Sequence, residues 1–173
     1  MHWDGEGPVK VKCVTCGADA NVVREDYNYA EVGLKNVYLK GVEILRCEEC
    51  GEEAVRIPRL NDLMRAIATA VVFRPGRLSG EEVRFLRKHL GMSAERFGEV
   101  LGVDKTTISK WENDVDPIGP QSDRLIRITA LALGDGMQGK VKQLLDALAE
   151  ILAQRRKPPI AVDTKTMEYS YAA

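Results

Sequence analysis

The sequence predicts an α+β protein of two domains, a small β-rich module stapled by cysteines followed by an all-α module. Three observations carry that prediction. All four cysteines stand in two Cys-x-x-Cys-Gly turns, "KCVTCG" at 12–17 and "RCEECG" at 46–51. The stretches between them, "NVVREDYNYA" (21–30) and "NVYLKGVEILRC" (36–47), are β-branched and aromatic, with a turn signal at Gly33. From residue 79 onward apolar residues recur at helical spacing, with caps and glycines between the runs.

The chain has 173 residues, enough for one ordinary core or two small ones. Its hydrophobic share of 45% and charged share of 29% are those of a globular protein. No apolar run approaches the roughly 18 residues a membrane span needs. The start, "MHWDGEGPVK", lacks the apolar stretch of a secretory leader, so a reducing, cytoplasmic setting is expected.

In such a setting paired Cys-x-x-Cys turns more often hold a metal than a disulfide. Cys13, Cys16, Cys47 and Cys50 together suit a tetrahedral, structural Zn²⁺ site, because zinc takes soft ligands without a geometric preference of its own. Four protein ligands leave no open position for catalysis. Gly17 and Gly51 suit turns whose amides swing toward the sulfurs. A thioredoxin-like redox centre needs one such pair at a helix start, which neither pair has. An iron–sulfur centre uses the same ligands and stays open. The zinc module is placed at 1–57, where an ion would hold together a domain too small to hold itself.

Next comes a connecting helix and linker, 58–78. Asn61 is expected to cap a helix with Leu60, Leu63, Met64, Ile67 and Val71 as its stripe, and "FRPGRLSG" (73–80) reads as a linker. Residues 79–154 follow as the helical module. Ser79 and Glu82 form a capping box for a helix with Val83, Leu86 and Leu90, ended by Gly91. Ser93 caps a second with Phe97, Val100 and Leu101, ended by Gly102, and Asp104 caps a third, "KTTISKWEN". The tight "LGVD" connection is that of a helix-turn-helix. A fourth helix is expected over Gln121–Leu133, and a fifth over 139–154 with Val141, Leu144, Leu145, Leu148 and Leu152.

The stretch "MSAERFGEVLGVDKTTISKWEND" (92–114) resembles the helix-turn-helix core of lambda-repressor-like, Xre-type domains. With a Cys-x-x-Cys module in front, the chain to about residue 133 is similar to the MqsA-type antitoxin family, a YgiT-type zinc domain followed by an Xre-type domain. That resemblance implies a zinc domain that blocks a cognate toxin and a helical domain that dimerises and represses its own operon. It further implies double-stranded operator DNA as a partner. In the third helix Ile108 and Trp111 lie three apart and face inward. Matched to the Xre-type motif, Lys105, Thr106 and Lys110 fall where base edges are read, and Thr107 and Ser109 near the backbone-facing flank. The chain departs from the pattern at Ala94, where many such domains carry Gln, and at Asp104, Asp114 and Asp116, which disfavour phosphate. Arg77, Arg84, Arg87, Lys88, Arg124 and Arg127 are candidates to rim the DNA site.

Charge divides by region. Residues 1–57 hold 7 Lys plus Arg against 11 Asp plus Glu, and four thiolates around Zn²⁺ add about −2. Such a surface suits a basic protein partner. Residues 79–133 hold 8 against 9, so DNA binding is expected to need dimerisation, two half-sites roughly 34 Å apart. The alternative to an antitoxin is a stand-alone zinc-containing transcription regulator without a toxin. An enzyme is the poorest reading: the histidines are only His2 and His89, the latter expected on a solvated helix surface, and no nucleophile motif is visible. The tail, 155–173, is expected to be disordered, with addition of a strand to a partner's sheet as the alternative.

Overall fold

The computed structural model describes residues 10–144, 147 and 157–171. Its chain order is β1 (Lys10–Lys12), β2 (Asp19–Asn28), a 3-10 turn at Ala30–Val32, β3 (Val37–Arg46), β4 (Glu53–Arg56), α1 (Leu60–Phe73), α2 (Gly80–His89), α3 (Ala94–Leu101), α4 (Lys105–Glu112), α5 (Pro120–Leu133), a 3-10 turn at Gln138–Lys140, β5 (Ile160–Asp163) and β6 (Tyr169–Tyr171). A mixed α+β architecture results, with a sheet at one end and a helical module at the other.

β3 organises the sheet. β2 lies antiparallel along it, with Val23 opposite Ile44, and β1 flanks β2. On the other side β4 pairs with residues 43–46 of β3. The N-terminal half of β3 pairs instead with β5, in parallel, Val37 opposite Ile160 and Leu39 opposite Val162. β6 closes that edge antiparallel to β5. The tail is therefore ordered over 157–171 and belongs to the first module's sheet. The reason is visible in "IAVD": Ile160, Ala161 and Val162 are all buried, a continuous apolar run of the kind a strand inside a sheet carries. The expectation of disorder rested on the Pro pair and mixed polarity of a chain end, which hid those three residues.

α1 is the keel. The sheet's inner face, with Leu34, Val37, Leu39, Val42, Ile44, Ile160 and Val162, packs on it, and the same cluster runs on into Val83, Leu86, Phe97, Ile108, Ile126 and Leu131 of the helical module. From Ala66 to Phe73 every residue of α1 is buried, as a helix covered on all sides must be. The small side chains of Ala66, Ala68 and Ala70 let both neighbours approach, so the Ala-rich face serves both.

Two local expectations are corrected. Asn61 does not cap α1; the position before the helix is Arg59, in left-handed conformation at φ 50° with no side-chain cap. Its guanidinium instead donates to the carbonyl of Lys165 at 2.6 Å, so a tertiary contact sets that end. "FRPGRLSG" is not a solvated linker either. Arg74, Gly76 and Leu78 are buried, held by a single side chain from α5. Arg127, wholly buried, donates to the carbonyls of Val72, Arg74 (3.0 Å) and Gly76 (2.6 Å), and pairs with Asp123 at 2.7 Å. Asp123 in turn accepts the amide of Leu78 at 2.6 Å. The orphan carbonyls at the end of α1 thus find their donors in a guanidinium.

The remaining helices start close to where the caps place them. The capping box of Ser79 and Glu82 is present, Ser93 accepts from the amide of Arg96, and Asp104 accepts from the amide of Thr107. α5 begins one residue early, on Pro120. Of the fifth helix, residues 141–144 and 147 are helical and Leu144 is buried; Leu145, Leu148 and Leu152 lie outside the described residues.

Candidate metal centre and nucleic-acid interface

The two cysteine turns share their backbone geometry as well as the Cys-x-x-Cys-Gly pattern. In the first, the amide of Gly17 donates to the carbonyl of Cys13 and that of Cys13 to Ala18. In the second, Gly51 donates to Cys47 and Cys47 to Glu52. Gly17 and Gly51 sit at φ 75° and 73°, a region open to glycine at little cost. The first cysteine of each turn is buried and the second exposed. β1 and β2 flank the first turn, while β3 and β4 flank the second, so the β2–β3 pairing brings the turns together.

The four sulfurs all lie within 4.8 Å of one another. Cys13 and Cys50 are 3.7 Å apart, Cys16 and Cys47 3.5 Å. A tetrahedron built on metal–sulfur bonds of about 2.3 Å has edges of about 3.8 Å, so the cage has the size of a four-thiolate site. The same separations are far beyond a disulfide bond of about 2.05 Å. Each of these two pairs joins one turn to the other, so an ion here would tie the two hairpin ends. The amides of Cys16 and Thr15 hold the Cys13 thiol down to about 6, below its ordinary 9.0. At Cys50 the Glu52 amide acts in the same direction, but the crowded sulfurs of Cys16, Cys47 and Cys13 push the thiol up to about 12. Four neighbouring thiols cannot all ionise unaided; a cation would supply the missing charge. The residues present therefore fit a metal ion.

The second candidate site is α4. Ile108 (0% exposed) and Trp111 (7%) are buried, as is Glu112. Lys105, Thr106, Ser109 and Lys110 are exposed, and Thr107 is half-buried. The polar face of α4 is thus turned outward as a contiguous patch. Its approach to α3 is close: a Cβ on Gly98 would sit 2.6 Å from the carbonyl oxygen of Val103. Lys110 is engaged by Asp116 at 3.2 Å across the following loop. Asp104, its carboxyl lowered by the Thr107 amide, stays charged at the helix start.

Several proposed rim cations have other work. Arg127 is the buried staple described above. Arg87 pairs with Glu112 at 2.5 Å and donates to the carbonyl of Met92, and Arg84 reaches Glu112 at 3.3 Å and the side chain of Asn113 at 2.9 Å. Both hold α4 against α2. Asp114 is no loose acid: its carboxylate accepts the amide of Gly80 at 2.7 Å, beside the start of α2. Lys88 and Arg124 are exposed, and Arg77 is exposed while donating to Ile118. His89 is half-buried, stacked on Phe85 at 6.0 Å between ring centroids, not freely solvated. Burial, with Arg65 nearby, lowers its pKa and favours the neutral ring. Sequence reasoning missed the tail's three anchors, Lys157, Thr164 and Tyr171, because nothing local marks a side chain whose partner lies 75 to 124 residues away.

A helix-turn-helix family model matches residues 83–131, from within α2 to the last turn of α5. This segment is an Xre-type helix-turn-helix domain. No curated protein matches the chain. The family match covers the helical module, a DNA-binding type, and leaves the four-cysteine sheet to be read from its own geometry. Among the described residues no helix is long and apolar enough to cross a membrane.

Proposed function

We propose that this protein represses its own operon by sequence-specific binding of α4 to a palindromic duplex, and that its sheet module, stiffened by structural Zn²⁺, holds and neutralises a cognate toxin in the manner of MqsA-type antitoxins. The observation that carries the reading is the outward polar face of α4, backed by buried Ile108 and Trp111, within the helix-turn-helix match. Lys105, Thr106 and Lys110 are the base-edge readers, with Thr107 and Ser109 at the backbone flank. Zinc is preferred because all four donors are thiolates. The acidic balance of residues 1–57 supports a basic protein partner, and the near-neutral helical module supports a homodimer, since one copy neutralises too few phosphates.

One observation favours the stand-alone regulator as a second reading: β5 and β6 complete the four-cysteine sheet from beyond the part of the chain that resembles an antitoxin. Two experiments decide. In a gel shift on the gene's own promoter, Lys105→Ala with Lys110→Ala is expected to lose about 1–3 kcal/mol per good base contact while keeping its metal. An unchanged shift refutes the assignment of α4. Co-purification with the neighbouring gene product, followed by an RNA-cleavage assay with and without this protein, tests the toxin. A neighbour that neither binds nor cleaves leaves the regulator reading standing.

A further inference from the structure

Glu82 has a wholly buried side chain, yet it gathers three groups from three parts of the chain. As the N3 residue of α2 it accepts the amide of Ser79 at 2.7 Å and its hydroxyl at 3.1 Å. Arg74, at the end of α1, pairs with its other oxygen at 2.9 Å. The third partner is Lys157, at the entrance to the C-terminal strands. Next to it the carbonyl of Pro158 accepts from Arg74 at 2.8 Å, and further along Tyr171 donates its hydroxyl to the carbonyl of Ala70 at 2.8 Å. The tail is laced to α1 along its length, from Arg59 at one end to Arg74 at the other.

Beyond Glu82 the path continues to the DNA-reading helix within a few residues. The amide of Gly80 donates to Asp114, which lies just after α4 in left-handed conformation at φ 54°. Gly80 is pressed so closely on that end of α4 that a Cβ would meet the carbonyl oxygen of Trp111 at 2.5 Å. A shift in the start of α2 is therefore felt by the last turn of α4 and by the loop that presents Asp116 to Lys110.

We infer that the C-terminal strand pair is a strap that positions the recognition helix, with Lys157 and Glu82 as positioning residues: the strap seats Glu82, Glu82 seats the start of α2, and Gly80 seats Asp114 and the end of α4. The residues after 156 thus serve the DNA site without touching DNA, and the metal-bearing sheet is fixed relative to that site. The affinity part of this inference rests on the DNA-binding reading; the mechanical part does not.

The test compares the full chain with Lys157→Met and the conservative Lys157→Arg. Amide hydrogen exchange is followed at Gly80 and Val115, with the β2–β3 ladder as an internal control, and affinity is read by fluorescence anisotropy on a duplex of the gene's own promoter. In Lys157→Met, exchange at Gly80 and Val115 is expected to rise about tenfold with the ladder unchanged, affinity is expected to fall about tenfold, and Lys157→Arg restores both. Unchanged exchange at Gly80 overturns the strap, as does faster exchange with unaltered affinity in a chain that binds DNA. If the unaltered chain binds no promoter DNA, the proposed function falls, and the exchange arm alone decides whether the strap seats α4.

Discussion

In the sheet module the fixed point is four sulfurs drawn from two turns that share the Cys-x-x-Cys-Gly pattern. In the helical module and at its joint with the sheet, the fixed points are ion pairs between side chains that the fold has buried or largely covered: Arg127 with Asp123, Arg74 with Glu82, Arg87 with Glu112. Both devices hold polar groups that would be costly to bury alone. They differ in how they fail. A thiolate cage depends on an external ion and on deprotonation, so chelation or acid opens it. A buried guanidinium keeps its charge at every ordinary pH and needs no external ion, so removing its carboxylate partner leaves a buried charge uncompensated. An ion-filled cage would thus answer to a chelator, whereas the buried ion pairs would not.

That contrast can be broken first at the cage. Cys47→Ser removes a buried sulfur of the cage from a residue whose backbone also closes the second turn, and the folding energy that a bound Zn²⁺ would supply there is on the order of 10 kcal/mol. Elemental analysis should find the variant without its ion, and its denaturation curve should no longer respond to a chelator. A variant that still carries one ion per chain with an unaltered curve would remove the metal reading. A smaller break is expected at the staple. Arg127→Met leaves Asp123 buried without its cation and the carbonyls of Val72, Arg74 and Gly76 without a donor, a loss of about 3–5 kcal/mol in urea denaturation at unchanged metal content. Metal loss in that variant would mean that the two fixed points are not separate.

The smallest effect sharpens the contrast by adding a proton-sensitive group to the helical module. The Asp104 carboxyl is held below its ordinary value by the Thr107 amide at 2.7 Å. The folded state binds that proton less readily than the unfolded one, so the cap contributes stability above the unfolded value and loses it as pH falls through the folded one. Exchange protection at the start of α4 should weaken on acidification from about pH 5 toward about pH 2, and Asp104→Asn should flatten that dependence. A pH dependence that survives in Asp104→Asn would assign the effect elsewhere.

Much of both candidate sites was legible. A Cys-x-x-Cys-Gly turn is local chemistry, so two of them announce a shared cage before any fold is known. Ile108 and Trp111, three apart on one face, turn the polar residues of α4 outward by helical period alone. The rim of cations was not legible. Arg87 and Arg127 look alike in sequence, but one holds Glu112 against α2 and the other is sealed among carbonyls at the end of α1. Nor was Asp114, which reads as an obstacle to phosphate and is in fact a brace for Gly80.

The sequence by itself determined the elements with local causes: the caps at Ser79, Ser93 and Asp104, the paired cysteine turns, the outward face of α4. Their hydrogen bonds close within a few residues, so no distant partner is needed to specify them. Only the tertiary structure decided that the tail joins the first sheet, that Arg127 finishes α1 and that Glu82 binds three segments into one joint. Each of those depends on groups brought together across tens of residues, where burial sets the cost of leaving a charge or a carbonyl alone, and burial is a property of the assembled core.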